Sequence, residues 1–359
     1  MIRDSTSWVI SGTKTFRLGS KQIMRKKRIV NGQEKKIGLG GNLQNIEKSM
    51  RAVYVPDEGK ILVQTDQAGA EALIVAYLCK PLAYRQLFIH GVKPHVYVAM
   101  HLFKDIWRKK ATEFVSAGIP FDIEAFCSAP IQALKSMPYW KELDRMIKDS
   151  DNWSLSERYY YLAKQTCHSA NYGITPPMFR MNILEKSGGK INISVEDSER
   201  FLLIYRSLFP EIPEWNNDIR TSIEMQTTPY KYIYNLHGHP YTITEYQILE
   251  TNWKDIIAWI PQSTVGMITN IAFANMQTFV EKERLDWDLL INGHDSILCQ
   301  CPIEEAAEAG RQSKRFIEQS FESPVDGAKF SMKSEVQAGF NWAPFKKDKN
   351  PFGLKEINL

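Results

Sequence analysis

Two aspartates and one helix face carry the residues with the most chemical potential. Asp295 sits in the triplet His294-Asp295-Ser296, which interrupts two apolar runs, Leu289-Leu290-Ile291 before it and Ile297-Leu298 after it. That pattern predicts a strand-turn-strand tip, with Gly293 supplying backbone freedom for the turn. Asp66 closes the run Lys60-Ile61-Leu62-Val63-Gln64-Thr65-Asp66, which reads as a buried strand. Between them in sequence, Lys164, His168 and Tyr172 fall four residues apart and share one face of a helix. Two converging carboxylates can hold a pair of divalent ions about 3.5–4 Å apart, an arrangement that activates an attacking oxygen and stabilises a leaving phosphate. A cation, an imidazole and a phenol in a row suit a phosphate, a sugar and a base. Taken singly, each feature also fits an ordinary turn or a solvated helix face.

Those residues need elements to position them. The expected helices run over Ala68–Leu78, 154–171 (closed by Tyr172-Gly173 and Pro176-Pro177), 195–212, 253–283 with an interruption near Pro261, and 303–321. Strands are expected around Asn235-Leu236-His237-Gly238 within 230–244, and over 329–337 as one closing strand. Residues 106–153 mix proline, aromatics and charges without a clean period and read as an insertion of uncertain structure.

A chain of 359 residues, 43% hydrophobic and 24% charged, suits a globular protein of about two subdomains. No uninterrupted apolar run reaches the roughly 18 residues of a membrane span, and no secretory signal core opens the sequence. A cytoplasmic setting with no membrane partner is therefore expected. Five scattered cysteines without a CxxC pair fit reduced thiols and argue against structural zinc. The net charge of +4 conceals an asymmetry, because residues 1–60 hold thirteen Lys/Arg against five Asp/Glu. The run Arg25-Lys26-Lys27-Arg28, then Gly38-Leu39-Gly40-Gly41 and the amides of Asn42-Leu43-Gln44-Asn45, suits a duplex backbone, and equally a solvated basic arm.

In this order the motifs resemble those of family A, the DNA polymerase I family, most closely its phage branch. Asp66-Gln67-Ala68-Gly69-Ala70-Glu71-Ala72 is similar to motif A, Lys164-x3-His168-x3-Tyr172-Gly173 to motif B, and His294-Asp295-Ser296 to motif C. Arg17-Leu18-Gly19-Ser20, Asn42-Leu43-Gln44-Asn45-Ile46, Lys93-Pro94-His95, Ile260-Pro261-Gln262-Ser263-Thr264 and Gly339-Phe340-Asn341-Trp342 resemble further family segments. The resemblance implies an α+β right-hand polymerase fold: an antiparallel palm sheet, a helical fingers subdomain, and a thumb mostly absent. Its divisions would be 1–80 (palm, basic arm and motif A), 81–227 (fingers and motif B) and 228–359 (palm and motif C). The implied activity is template-directed addition of dNTPs to a primer 3′ end in phage DNA replication, with two Mg²⁺ ions.

The resemblance also implies residue roles. Asp66 and Asp295, with the Gln67 carbonyl, would hold the metals. Lys164 would meet the triphosphate and protonate the departing pyrophosphate, and His95 would add a phosphate contact. Tyr172 would pack beside the nascent base pair, and His168 stands where many relatives place an aromatic against the incoming sugar. Arg17, Gln44, Asn45, Lys254, Gln262 and His294 would touch template or primer with low sequence specificity. Glu71 would crowd a ribose 2′-OH.

Several residues depart from the pattern. Ser296 replaces a second carboxylate, Gly69 and Leu73 replace polar residues, and Tyr160 stands where many relatives have a phosphate-binding arginine. Arg158 is about 200° away around the helix from that position, so Arg180 or the 106–153 segment would have to supply the charge. A single-subunit RNA polymerase shares the His-Asp-Ser triplet but has glycine at the Glu71 position, so it is the alternative within catalysis. A catalytically weak DNA-binding subunit of a split polymerase is the alternative outside it. Only sixteen residues precede Arg17, where relatives place an exonuclease domain and most of a thumb, so the expectation is either a fragment or a split polymerase whose upstream polypeptide carries the thumb and exonuclease.

Overall fold

The structure, a computed structural model, describes residues 7–9, 15, 19–21, 23–30, 33–39, 46–112, 120–154, 157–244, 248 and 253–359. Its centre is a five-stranded antiparallel sheet in the order Lys355–Glu356, Ser334–Gly339, Lys60–Gln67, Ser296–Pro302, Asp288–Asn292. The run ending in Asp66 is its middle strand, as the apolar sequence of a strand covered on both faces requires. Alternation divides that strand. Val63 packs with Ile297, Cys299 and Val336 against Ala272, Met276 and Val280 of the helix Trp253–Glu283 and Ala309 and Ile317 of the helix Ala306–Ile317. Leu62 turns the other way, against Ile291, Leu298, Trp342 and Leu354. By the same period, Gln64 and Asp66 lie on the Leu62 face and Gln67 on the helix face.

Between the strand Lys60–Gln67 and the hairpin of Asp288–Asn292 with Ser296–Pro302 the described chain is mainly helical. The helices Ala70–Leu78, Pro94–Leu102, Tyr159–Ala170, Val195–Leu208 and Glu211–Glu224 pack, with the first half of Trp253–Glu283, into the largest core of the described residues. The described residues of segment 106–153 contribute to that core. Short helices at Lys104–Lys110, Ile123–Ser128 and Trp140–Asp149 bury Trp107, Phe126, Trp140, Leu143 and Ile147. Asp122 caps the second of them by accepting from the N–H groups of Glu124 and Ala125. Segments this short carry too few turns to show a period.

Other elements differ from expectation in detail. The helix Trp253–Glu283 runs through Pro261 without a break, because Trp259, Ile260, Pro261 and Val265 are all buried. Packing thus outweighs the ~3 kcal/mol a helical proline costs. This helix has the length and apolarity of a membrane span, but 72% of its apolar window is buried inside the protein. The helix expected over 195–212 ends at Leu208, and a second begins at Glu211. The last helix stops at Ile317, and Ser320–Glu322 pairs with Lys329–Ser331 as a separate hairpin. The single closing strand is therefore two, since Ser334–Gly339 joins the central sheet. Strands Lys231–Tyr234 and Pro240–Ile243 form the expected pair around Asn235 to Gly238. All five cysteines are unbridged.

Candidate active site

Asp66 and Asp295 come together through the sheet. Asp66 lies opposite Ser296 in the register of the two central strands, and the N–H of Gln67 donates to the carbonyl of Asp295 at 2.9 Å. Residues 229 positions apart in sequence thus meet at one end of the sheet, Asp66 half-buried and Asp295 exposed. The turn that carries Asp295 is built differently from the sequence expectation. His294, not Gly293, takes the left-handed backbone, at φ 74°, a region where histidine is enriched among non-glycine residues. At Gly293 a Cβ would lie 2.3 Å from the Ser296 Oγ, so a side chain there requires that hydroxyl to turn away.

On the far side of Asp66 stands Glu335, its direct cross-strand partner on Ser334–Gly339. Paired residues in an antiparallel sheet share a face. Asp66 is therefore flanked by Ser296 on one side and an exposed glutamate on the other. Among the described residues no three His, Cys, Asp or Glu side chains converge as a metal cluster. The donor set is two carboxylates with a nearby main-chain carbonyl. It fits a hard ion such as Mg²⁺, which keeps several waters and takes one or two carboxylates.

The helix Tyr159–Ala170 presents Lys164 and His168 to solvent and buries Leu162, Ala163, Thr166 and Cys167. It ends two residues before Tyr172, which lies in the following turn with Gly173 at φ 73°. Tyr172 still adjoins His168, ring centroids 6.1 Å apart and edge to face. Its hydroxyl donates to the Glu71 carboxylate at 2.9 Å, and His168 Nδ1 stands 4.0 Å from the same oxygen. Glu71, on the first turn of the helix following Asp66, is thereby fixed beside His168 and Tyr172.

His95 packs edge to face on Tyr160, ring centroids 5.8 Å apart. Burial, then the charges of Lys164, His168 and Lys93, lower its pKa to about 4, so it is neutral at pH 7. Burial likewise pushes the Tyr160 hydroxyl up to about 12, leaving an uncharged phenol where the resemblance expected a cation. Arg180, the other candidate for that charge, donates from Nε to Asn192 Oδ1 and the Ile193 carbonyl. Arg158 and Lys164 both act on Asp151, whose carboxyl burial raises and their charges lower. Arg158 thus shares the electrostatic surroundings of Lys164 despite its angular offset.

His168 and Tyr172 line a cleft of about 330 Å³ together with Lys254, Gln262, Asn182 and Trp259. Tyr241 stacks on Trp259 at 4.9 Å and 16°, which gives the cleft a flat aromatic wall. Lys254 and Gln262 thus line the same cleft as His168 and Tyr172. Arg17, Gln44 and Asn45 lie outside the described residues.

Arg51 went unrecognised in the sequence. Its guanidinium lies 4.3 Å from the Trp342 ring centroid and its Nε donates to the Ile46 carbonyl. Burial lowers its pKa and the charge of Asp66 opposes that shift, so Arg51 stands in the field of the first aspartate. A lone arginine before a strand gives no such signal. The Gly339-to-Trp342 segment explains the contact, since Trp342 Nε1 donates to Gln64 Oε1 at 2.7 Å, two residues before Asp66.

No family model matches this chain, and no curated protein matches it. Among solved structures the fold is similar to the POL domain of Pol1 from M. smegmatis, described in complex with DNA primer-template and dNTP. The TM-score is 0.59 at 18% sequence identity, covering 94% of this chain and 47% of that one. The chain thus spans about half the length of that protein. The α+β architecture is that of a right-hand polymerase domain.

Proposed function

We propose that this chain is a template-directed DNA polymerase of family A and the phage type, which adds dNTPs to a primer 3′ end using two Mg²⁺ ions. The observation that carries the proposal is the junction of Asp66 and Asp295 at one sheet end, closed by the Gln67-to-Asp295 hydrogen bond. The shared fold and the partners named for the M. smegmatis domain, primer-template DNA and dNTP, agree with it. In this reading the central sheet is the palm, the helices between about residues 81 and 227 are the fingers, and residues 1–80 and 228–359 complete the palm.

Asp66 and Asp295 would hold the ions, with the Gln67 carbonyl as a further ligand. When bound, the ions would lower the pKa of the primer hydroxyl and neutralise charge on the leaving pyrophosphate. Lys164, exposed at the fingers helix, binds the triphosphate and gives a proton to the departing oxygen. Neutral His95 donates one hydrogen bond to a phosphate oxygen and brings no charge. The Tyr172 hydroxyl holds Glu71 where a ribose 2′-OH would lie, which favours deoxynucleotides. DNA follows the basic N-terminal region, where the register of the hairpin Ile23–Val30 with Gln33–Leu39 sets Lys27 opposite Lys36 and Arg28 opposite Lys35.

Primer extension with deoxynucleotides, comparing the parent with Asp66→Ala and Asp295→Ala, tests the proposal. Each substitution is expected to lower incorporation at least about 100-fold. Incorporation that survives both would reject the two-carboxylate site. Ser296 favours one competing reading, an RNA polymerase, and faster incorporation of ribonucleotides by the parent would establish it.

A further inference from the structure

We infer that Thr269 is the positioning residue that sets the spacing of Asp66 and Asp295, through one hydroxyl shared between the two segments that carry them. The inference rests on the two-carboxylate reading above.

Thr269 is fully buried in the long helix Trp253–Glu283. It sits at the seam between Ile268, in the core of the helical region, and Ala272, in the core beneath the sheet. Its Oγ1 accepts from Gln67 Nε2 at 2.7 Å and lies 2.8 Å from the His294 carbonyl, to which it donates. Gln67 follows Asp66 directly, and His294 directly precedes Asp295. A single hydroxyl thus joins the residue after one aspartate to the residue before the other.

A threonine hydroxyl has one hydrogen. In a helix it ordinarily bonds back to the carbonyl four residues earlier, and here the Val265 carbonyl lies 3.1 Å away. The His294 carbonyl is the nearer acceptor. The hydrogen bond from Gln67 orients the hydroxyl as a relay from one segment to the other.

The turn needs such a hold. His294 occupies the left-handed region, where an L-residue is strained and persists only when its surroundings fix it. Asn270, the next helix residue, accepts from Asn292 Nδ2 at 3.0 Å, and Asn292 Oδ1 accepts from the His294 N–H at 3.3 Å. Thr269 and Asn270 therefore grip the turn from its two sides. Gln67 adds a second tether, because its own N–H reaches the Asp295 carbonyl while its side chain reaches Thr269. Two tethers from one residue fix an orientation as well as a distance. The Gln67 Oε1 is buried without a hydrogen-bond partner among the described residues, so the amide is held through its Thr269 bond.

Positioning and mere core satisfaction make different demands. A satisfied core threonine contributes to stability alone. A spacer between metal carboxylates also sets ion affinity, and outer groups of this kind are worth about 10–100-fold in metal binding.

The test measures Mn²⁺ binding to the full chain without DNA or nucleotide, from the electron paramagnetic resonance of free Mn²⁺, alongside thermal melting. Thr269→Val keeps the shape and removes the hydroxyl, Thr269→Ser restores it, and Gln67→Leu cuts the same bridge from the other side. The expected result is Mn²⁺ binding weakened about 10-fold in Thr269→Val and in Gln67→Leu, and within about 2-fold of the parent in Thr269→Ser. Parent-like binding by a folded Thr269→Val or Gln67→Leu, with binding lost in Asp66→Ala and Asp295→Ala, would overturn the inference and leave the two-carboxylate reading standing. Binding retained in the aspartate variants would instead remove that reading, and the inference with it.

Discussion

Glu71 is held on one side by the Tyr172 hydroxyl at 2.9 Å and approached on another by His168 at 4.0 Å. If this carboxylate excludes a ribose, Glu71→Ala should raise ribonucleotide incorporation relative to deoxynucleotide by about 10–100-fold. Tyr172→Phe, which keeps the bulk and removes only the hydrogen bond, should raise it less; single-nucleotide kinetics read both. Asp66 and Asp295 were legible in the sequence because a carboxylate after an apolar strand, or at a turn between two, stands out by type and place. Thr269, Arg51 and Glu335 were not. A buried threonine amid Ile268 and Ala272 looks like packing, and its two partners lie at residues 67 and 294, beyond any local period. Glu335 acquires meaning only from the register that sets it opposite Asp66.

At the scale of elements, the C-terminal segment is threaded through spaces that only glycine permits. A Cβ on Gly339 would lie 2.5 Å from the Gly353 carbonyl oxygen, and one on Gly353 would lie 2.5 Å from that of Ala343. The obstacles are main chain, which cannot rotate aside. Gly339→Ala is therefore expected to cost about 2–3 kcal/mol in urea unfolding, and to loosen the Trp342 contacts with Gln64 and Arg51. The long strands and helices were legible from period and turn residues. Pro261 misled the reading, since a proline's local penalty is visible in sequence and the burial that outweighs it is not. Segment 106–153 misled in the opposite sense, because helices of six to ten residues fold on the core they complete rather than on their own pattern.

For the whole molecule, two half-buried histidines contribute to the pH dependence of stability. Burial, ahead of every charge effect, lowers both His95 and His101 from 6.5 to about 4. The unfolded chain protonates them near 6.5 and the folded chain only near 4, so in that window the unfolded state binds more protons. Stability should rise with pH there and be lost as pH falls from about 6.5 to 4, by on the order of 3 kcal/mol for His95. Glu211 runs the other way. Burial raises its carboxyl, so its contribution is present at low pH and is lost as pH rises through the raised value. Denaturant midpoints against pH should flatten below 6.5 in His101→Gln, and rise in Glu211→Gln at pH 7 but not at pH 4. The α+β class followed from the resemblance of the motifs, while the sheet order was not readable from local pattern, because its middle strand has no partner near it in sequence. That order also has a temporal side. Cys299 and Val63 touch across 236 residues of chain. At a ribosomal rate of about 5–20 residues per second, the strand bearing Asp66 emerges tens of seconds before the strand bearing Ser296. Its Ile61-Leu62-Val63 edge is exposed for that interval, so nascent-chain binders that mask apolar edges bear directly on how much active protein a cell recovers.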